Sequence, residues 1–230
     1  MIWMLLACAP DPCEGDSANL TCSVATQSVD YYAELSSRYF DTMDSRVDLE
    51  EEMPYSEQVV RWEWGPWLKL TAFGRDDMIA VDAALVLYPS IVDERDCRGF
   101  DVQPFGRCTV TFYYDAHDGK PCPIYEEFVF NDAGEITWVE AWSYLPGYLP
   151  MEGTDPWADG VDHGRLSARI PGLGTPTGAI DLESQAMADA AAADADVADF
   201  AARADDWQAA WLDEVANNDQ DAMWAEGCGW

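Results

Sequence analysis

The chain has 230 residues, of which 49% are hydrophobic and 13% aromatic, so it is long and apolar enough to bury a core of its own. It carries 44 acidic residues against 12 lysines and arginines, which gives a formal net charge of −32. A charge of this sign repels nucleic acid and anionic membrane surfaces, so we predict that the protein binds no nucleic acid.

The N-terminus resembles the end of a bacterial lipoprotein signal. Leu5, Leu6, Ala7 and Cys8 follow the order apolar, apolar, small, cysteine, and in lipoproteins this cysteine is acylated. Only a short segment without Lys or Arg precedes Cys8, whereas a complete signal has a basic region and roughly 7–15 apolar residues. We therefore expect a true start upstream of Met1. The resemblance implies export, an outer-membrane location in a Gram-negative bacterium, and membrane attachment through the lipid alone.

The other cysteines form an even set, which suits disulfide bonds in an exported protein. They are Cys13, Cys22, Cys97, Cys108, Cys122 and Cys228. Six cysteines can pair in many ways, so the spacing leaves the connectivity open. We favour one bond between two of Cys97, Cys108 and Cys122, with Cys228 tying the tail back. His117 and His163 lack ligand-like spacing to any cysteine, so we predict no metal site and no cofactor.

After a tether over residues 9–26, the pattern becomes helical. Ser28 is a suitable N-cap, and apolar side chains then recur at helical spacing. These side chains are Val29, Tyr32, Leu35, Tyr39 and Met43. The acidic run at 48–52 is predicted to form a short second helix that ends before Pro54.

Alternating residues over 59–74 predict a strand that is interrupted by a kink or turn at Gly65. Asp76 or Asp77 should cap a helix that Pro89 halts. The stretch around Cys97 is interpreted as irregular. The run at 108–115, rich in β-branched and aromatic residues, predicts a further strand that is followed by a turn at 117–119.

Two aromatic runs, 121–130 and 135–142, flank an Asn-Asp-Ala-Gly turn and predict a β-hairpin. With Gly134 in the left-handed position of a bulged loop, Phe130 would face Ile136 and Phe128 would face Trp138. The same register places Glu126 opposite Glu140.

Two facing carboxylates at the end of an aromatic wall repel, so one of them should keep its proton to a higher pH. The pair Glu126 and Glu140 is therefore a candidate acid–base pair. The alternatives are that both carboxylates lie at a wet rim, or that a basic residue neutralises them. The basic candidates are Arg38, Arg61 and Lys69.

The chain changes character after the hairpin. Residues 149–180 are interpreted as loop and linker, and 181–230 as an acidic, alanine-rich helical extension. Its narrow apolar stripe consists of Met187, Val197, Phe200, Trp207, Trp211 and Val215. The alternative is a partly disordered acidic tail, but the two tryptophans favour docking on the domain.

The element order, with the stretches RYFDTMDSRVDLEEEM and PIYEEFVFNDAGEITWVEAW, resembles the nuclear transport factor two-like superfamily, which includes SnoaL-like cyclases and ketosteroid isomerases. The resemblance implies an α+β fold, with a cone of curved antiparallel sheet and N-terminal helices over 27–148, preceded by a signal at 1–8. It also implies a homodimer by analogy. In the isomerases a helix tyrosine and a protonated aspartate form an oxyanion hole. Tyr39 matches the tyrosine, and Glu126 stands near the aspartate. No residue matches the general base, for which Glu63 is a guess.

Five aromatic side chains are candidates for lining an apolar cavity: Trp62, Trp64, Phe128, Trp138 and Trp142. Core packing is the alternative for at least half of them.

Three functions stay open. The first is a non-enzymatic envelope module that binds a small apolar ligand. The second is an isomerase, cyclase or hydrolase that uses Glu126 and Glu140 with Tyr39, and the third is a purely structural lipoprotein.

Overall fold

The computed structural model describes residues 25–65, 72–85, 89–101, 105–145, 166–175, 177–205 and 220–230. Several predicted features lie outside these ranges: Cys8, Cys13, Cys22, Lys69, His163, Trp207, Trp211 and Val215. Within the described ranges, no helix has the length and apolar character that a membrane span requires.

A six-stranded sheet with helices makes the fold α+β, as predicted. The strands are β1 (Tyr55–Glu63), β2 (Ala72–Phe73), β3 (Ser90–Phe100), β4 (Phe105–Tyr114), β5 (Pro121–Phe130) and β6 (Ile136–Ser143). Their spatial order is β2-β1-β6-β5-β4-β3. Because β1 runs parallel to β6, the sheet is mixed and not purely antiparallel as expected.

The first helix, α1 (Val29–Tyr39), confirms the predicted N-cap, since the Ser28 hydroxyl accepts a hydrogen bond from the backbone N–H of Tyr31. A 3-10 turn, Phe40–Thr42, continues it. The predicted second helix at 48–52 is wrong, because this stretch is irregular. A five-residue run of mostly like charges with no cap is too short and too self-repelling to nucleate a helix.

The predicted helix is confirmed as α2 (Arg75–Leu85), but Asp76 and Asp77 lie in its first turn and do not cap it. Residues 86–88, where Pro89 was expected to halt it, lie outside the described residues. The prediction of an irregular stretch around Cys97 is wrong, because β3 pairs there with β4. Its charged sequence hides the strand period, and a bulge falls between Asp93 and Asp96. Charges and bulges of this kind are common on edge strands, where they discourage pairing with other chains.

Two hydrophobic cores lie on opposite sides of the sheet. On the side that we call the α1 face, aromatic residues of α1 pack against β4, β5 and β6 through Cys108, Phe128, Phe130 and Val139. On the other side, the extension face, a second cluster surrounds Val60, Trp62, Phe105, Val129 and Trp138. A Cβ at Gly106 would clash with Ser36. Because glycine has no Cβ, α1 can lie close against β4 at this point.

The described C-terminal segment docks on the domain, as the sequence favoured: most of it packs on the extension face, but its last helix packs on the α1 face through Trp224 and Cys228. It contains a 3-10 turn (Leu166–Ala168), α3 (Gln185–Ala193), α4 (Ala195–Asp205) and α5 (Gln220–Cys228). Met187, Val197 and Phe200 of the predicted stripe are buried there. Part of the predicted linker is also buried, through Leu166, Ile170, Leu173 and Ile180.

Two disulfide bonds match the favoured pattern. Cys97 on β3 bonds Cys108 on β4, 11 residues away. Cys122 on β5 bonds Cys228 at the end of α5, 106 residues away, and so ties the tail to the sheet.

Candidate functional site

The predicted hairpin turn is confirmed. Gly134 has φ 78°, the left-handed conformation that glycine adopts without strain. The backbone N–H of Asn131 donates to the carbonyl of Glu135 at 3.0 Å, and Phe130 pairs with Ile136. The Asn131 side chain accepts from the N–H groups of Ala133 and Glu135, each at 3.0 Å, and so holds the turn.

The register beyond this turn differs from the prediction. Val129 pairs with Trp138, so Thr137 has no partner strand residue in this register and forms a bulge. The Thr137 hydroxyl donates to the Val129 carbonyl at 3.1 Å across the bulge. From this point every pair is shifted by one residue relative to the predicted register.

The shift separates the predicted acid–base pair. Glu126 lies opposite Ala141, and the residue that faces Glu140 is Glu127. Because successive strand residues point to opposite faces, Glu126 lies on the α1 face and Glu140 on the extension face. The prediction that Glu126 and Glu140 share one wall is therefore wrong.

Glu140 is a buried carboxylate that four N–H groups satisfy. The indole Nε1 atoms of Trp64 and Trp138 donate to its two oxygens at 2.7 and 3.1 Å. The backbone N–H groups of Leu166 and Ser167 donate to the same two oxygens, each at 3.0 Å. Glu140 thus fastens the first turn of the C-terminal segment to the sheet.

Its neighbour Glu127 is neutralised by a cation. Arg107 on β4 donates to Glu127 Oε2 from Nε at 2.9 Å and from Nη2 at 2.6 Å, and both side chains are 0% exposed. Two like charges therefore do face each other across this sheet, but they are Glu127 and Glu140, and each has its own compensation.

Glu126 belongs to a buried cluster with Arg61 and Tyr39. Arg61 Nη1 donates to Glu126 Oε1 at 2.8 Å and also contacts the Tyr39 hydroxyl, while Nη2 donates to Glu63 at 2.6 Å. Burial raises the pKa of Glu126 to about 7, against the lowering effect of Arg61. Burial also raises the pKa of Tyr39 well above its usual value.

Two of the three predicted catalytic residues, Tyr39 and Glu126, thus meet at Arg61. Both are 0% exposed and Arg61 is 3% exposed, so the cluster is sealed from solvent. The sequence reasoning offered Arg61 only as one of three neutralising candidates. The signal that favours it is its position two residues after the buried Val59 on the same strand, which places both side chains on one face.

The five predicted ligand-binding aromatics do not form one cavity wall. Phe128 packs in the α1-face core, while Trp62 and Trp138 contact Phe200 of α4 on the other face. Trp142 stacks on Tyr125, and Trp64 packs beside them. For all but the partly buried Trp64, the core-packing alternative describes the placement.

A pocket of about 280 Å³ opens beside α2, and we call it the α2 pocket. Its apolar walls are Leu49, Met53, Ile79 and Ala83. Its polar lining is Thr42, Glu51, Glu52, Tyr55 and Asp82. None of these nine residues was predicted as a site residue, because four come from a loop and five from the 3-10 turn, β1 and α2, which meet only in the fold.

Asp82 is the most unusual group of this pocket. The Tyr55 hydroxyl donates to Asp82 Oδ2 at 2.7 Å, but Oδ1 is buried and accepts no hydrogen bond from the described residues. Burial raises the pKa of Asp82 to about 6, while Tyr55 and Arg61 lower it. A buried acceptor without a donor costs about 1–3 kcal/mol, which a ligand's donor group could recover.

The described residues contain no group of three or more His, Cys, Asp or Glu side chains arranged to hold a metal ion. The side chains that line the α2 pocket supply three carboxyls, a phenol, a hydroxyl and apolar walls.

The element order and the mixed six-stranded sheet define an α+β fold of the class that the sequence indicated. Among solved structures, a protein of unknown function with a cystatin-like fold from Methylobium petroleophilum is 15% identical, with a TM-score of 0.43 over 60% of this chain and 84% of that one. A candidate polyketide cyclase from a Silicibacter species is 18% identical, with a TM-score of 0.36 over 50% and 90%.

A candidate SnoaL-like polyketide cyclase from Mesorhizobium loti is 11% identical, with a TM-score of 0.31 over 48% of this chain and 97% of that one. The description of this last protein names the SnoaL-like group that the sequence resembles. No family model matches the chain. No curated protein matches it either.

Proposed function

We propose that the protein is a cell-envelope module that binds a small, largely apolar ligand in the α2 pocket. The observation that carries this proposal is the buried, unpartnered Oδ1 of Asp82 beside apolar walls. Ligand sites commonly combine apolar lining with a few polar groups that orient the ligand. The buried Tyr39, Arg61 and Glu126 cluster supports the neighbouring wall and does not contact the ligand.

Native mass spectrometry of protein purified from its own source tests this proposal. We expect a mass excess that is lost on denaturation. An Ala83→Trp variant should fill the pocket and abolish the excess, whereas Ala80→Trp, exposed on the same helix but not lining the pocket, should retain it. Equal adducts in both variants, or no adduct in the wild type, would contradict ligand binding in the α2 pocket.

Export and lipid anchoring at Cys8 belong to the same proposal. The apolar-apolar-small-cysteine order at residues 5–8 and the two disulfides support it, because disulfides persist mainly in oxidising compartments. Labelling of cells with palmitate should mark the wild-type protein and leave Cys8→Ser unmarked.

A homodimer stays a proposal by analogy. It would have to form outside the area that the C-terminal segment buries, and light scattering of the purified protein tests it.

A second candidate is proton-transfer chemistry on the bound molecule, with Asp82 as general base. The raised pKa of about 6 and the free Oδ1 favour it, since a base works best near the operating pH. Turnover of a bound compound should rise with pH through about 6, and Asp82→Asn should abolish it. A variant that keeps the wild-type rate would leave binding as the sole function.

A further inference from the structure

We propose that the ligand of the α2 pocket carries a cationic amino group on an apolar body, an inference that rests on the proposed binding function. Both acidic and apolar side chains line the pocket. This combination selects for charge and for hydrophobic surface at the same time.

Asp82 supplies a negative charge to the pocket. Asp82 receives a hydrogen bond from Tyr55 on Oδ2 only, and no Lys, Arg or His of the described residues contacts its carboxylate. An ammonium group that reached Oδ1 would satisfy the free acceptor and compensate the buried charge in one contact. A hydroxyl would satisfy the acceptor but leave the charge with only the longer-range attraction of Arg61.

The rim has the same sign. Glu51 and Glu52 line the mouth of the pocket, and Glu51 meets Arg38 only through an exposed contact of 3.5 Å. None of the described residues that line the pocket is basic. Together with the net charge of −32, this lining repels carboxylates and phosphates and concentrates cations at the entrance.

The walls define the rest of the ligand. Leu49, Met53, Ile79 and Ala83 offer aliphatic surface and no hydrogen-bonding side-chain group. The volume of about 280 Å³ lies at the small end of ligand pockets. An alkyl or cycloalkyl amine therefore fits the pocket better than a long lipid or a polycyclic compound.

Three probes with one carbon skeleton test the charge requirement: hexylamine, hexanol and hexanoate. We would titrate each into the wild-type protein at low salt and about pH 8, where the Asp82 carboxyl is ionised, and follow the methyl resonances of Ile79 and Met53. We expect hexylamine to bind about 10-fold or more tighter than hexanol, because its hydrogen bond is charge-assisted. Hexanoate should not bind.

Asp82→Asn keeps the shape of the side chain and an oxygen that accepts from Tyr55, but removes the charge. In this variant the affinity for hexylamine should fall to that for hexanol. Asp76→Asn makes the same change at an exposed position of α2 that does not line the pocket, so it should leave the preference intact. Glu52→Gln, at the rim, should weaken hexylamine binding by a smaller factor, and thermal unfolding shows whether each variant is folded.

The outcomes separate the two proposals. If hexanol binds as tightly as hexylamine, or Asp82→Asn keeps the preference for the amine, the cationic ligand is wrong and ligand binding stands. If no probe shifts the pocket resonances and the native protein carries no adduct, the proposed binding function itself fails.

Discussion

The two faces of the sheet handle a buried carboxylate in different ways. On the α1 face, Glu126 shares one guanidinium, that of Arg61, with Glu63 and Tyr39. On the extension face, Glu140 contacts no cation in the described chain but accepts four N–H bonds.

The strand pair β5–β6 thus buries several charges by two different means. A shared guanidinium leaves Glu126 Oε2 without a hydrogen-bond donor, and burial raises the pKa of that carboxyl to about 7. Four oriented donors solvate Glu140 as water would, and they join the sheet to the C-terminal segment at the same time. The first arrangement is electrostatically strained, and the second is an attachment point.

The largest loss of stability is expected when the shared cation Arg61 is removed. Arg61→Met removes the cation that contacts the buried Glu126, and we expect a loss of about 3–5 kcal/mol in the free energy of unfolding near neutral pH. Urea unfolding with the disulfides intact measures it. The double variant Arg61→Met with Glu126→Gln should recover part of the loss, whereas a single variant of wild-type stability would show that the cluster contributes nothing.

Removing the charge of Glu140 should have the next largest effect. Glu140→Gln places an amide NH2 against N–H donors, so we expect a loss of roughly 2–3 kcal/mol. Hydrogen exchange at the amides of Leu166 and Ser167 should accelerate before global unfolding. Glu34→Gln, an exposed change on α1, is the matched control and should alter neither quantity.

The contribution of Glu126 to the stability of the protein should depend on pH. The pKa of Glu126 is raised to about 7 from 4.5, so between these values the folded state binds more protons than the unfolded state. Its contribution to stability is therefore present at low pH and is lost as the pH rises through about 7. Relative to wild type, Glu126→Gln should gain on the order of 1–3 kcal/mol between about pH 5 and about pH 8. A difference that is constant with pH would contradict the raised pKa.

The smallest effect is expected at a partly exposed ion pair of the C-terminal segment. Arg169 meets Asp194 at 2.5 Å and Asp196 at 3.1 Å, and its side chain is 26% exposed. Arg169→Gln should cost less than about 1 kcal/mol, because solvent and salt screen such pairs. A loss as large as that of Arg61→Met would mean that exposure does not separate the two arginines.

Local sequence signals predicted much of the fold. The Ser28 cap and the Gly134 turn follow from short-range chemistry, and the tie of Cys228 to the domain was expected from counting cysteines, although its partner Cys122 was not predicted. The strand β3 was missed because its charged edge sequence carries no hydrophobic period. The helix at 48–52 failed because five residues without a cap do not nucleate.

The site was harder to predict than the elements. Both predicted carboxylates are buried, but the bulge at Thr137 decided which face each of them occupies. A strand has a period of two, so one inserted residue moves every later side chain to the other face. The residues of the α2 pocket are distant in sequence, and only packing brought Asp82 against Tyr55.

From the amino-acid sequence alone one can therefore predict most of the helices and strands and the hairpin turn, because these depend on neighbouring residues. The tertiary structure alone decided which acids share a face, which cation neutralises each of them, and where a pocket opens. Those outcomes depend on strand register and on contacts between distant segments. The alternation of apolar and polar residues did not fix the register of β5 and β6 to within one residue.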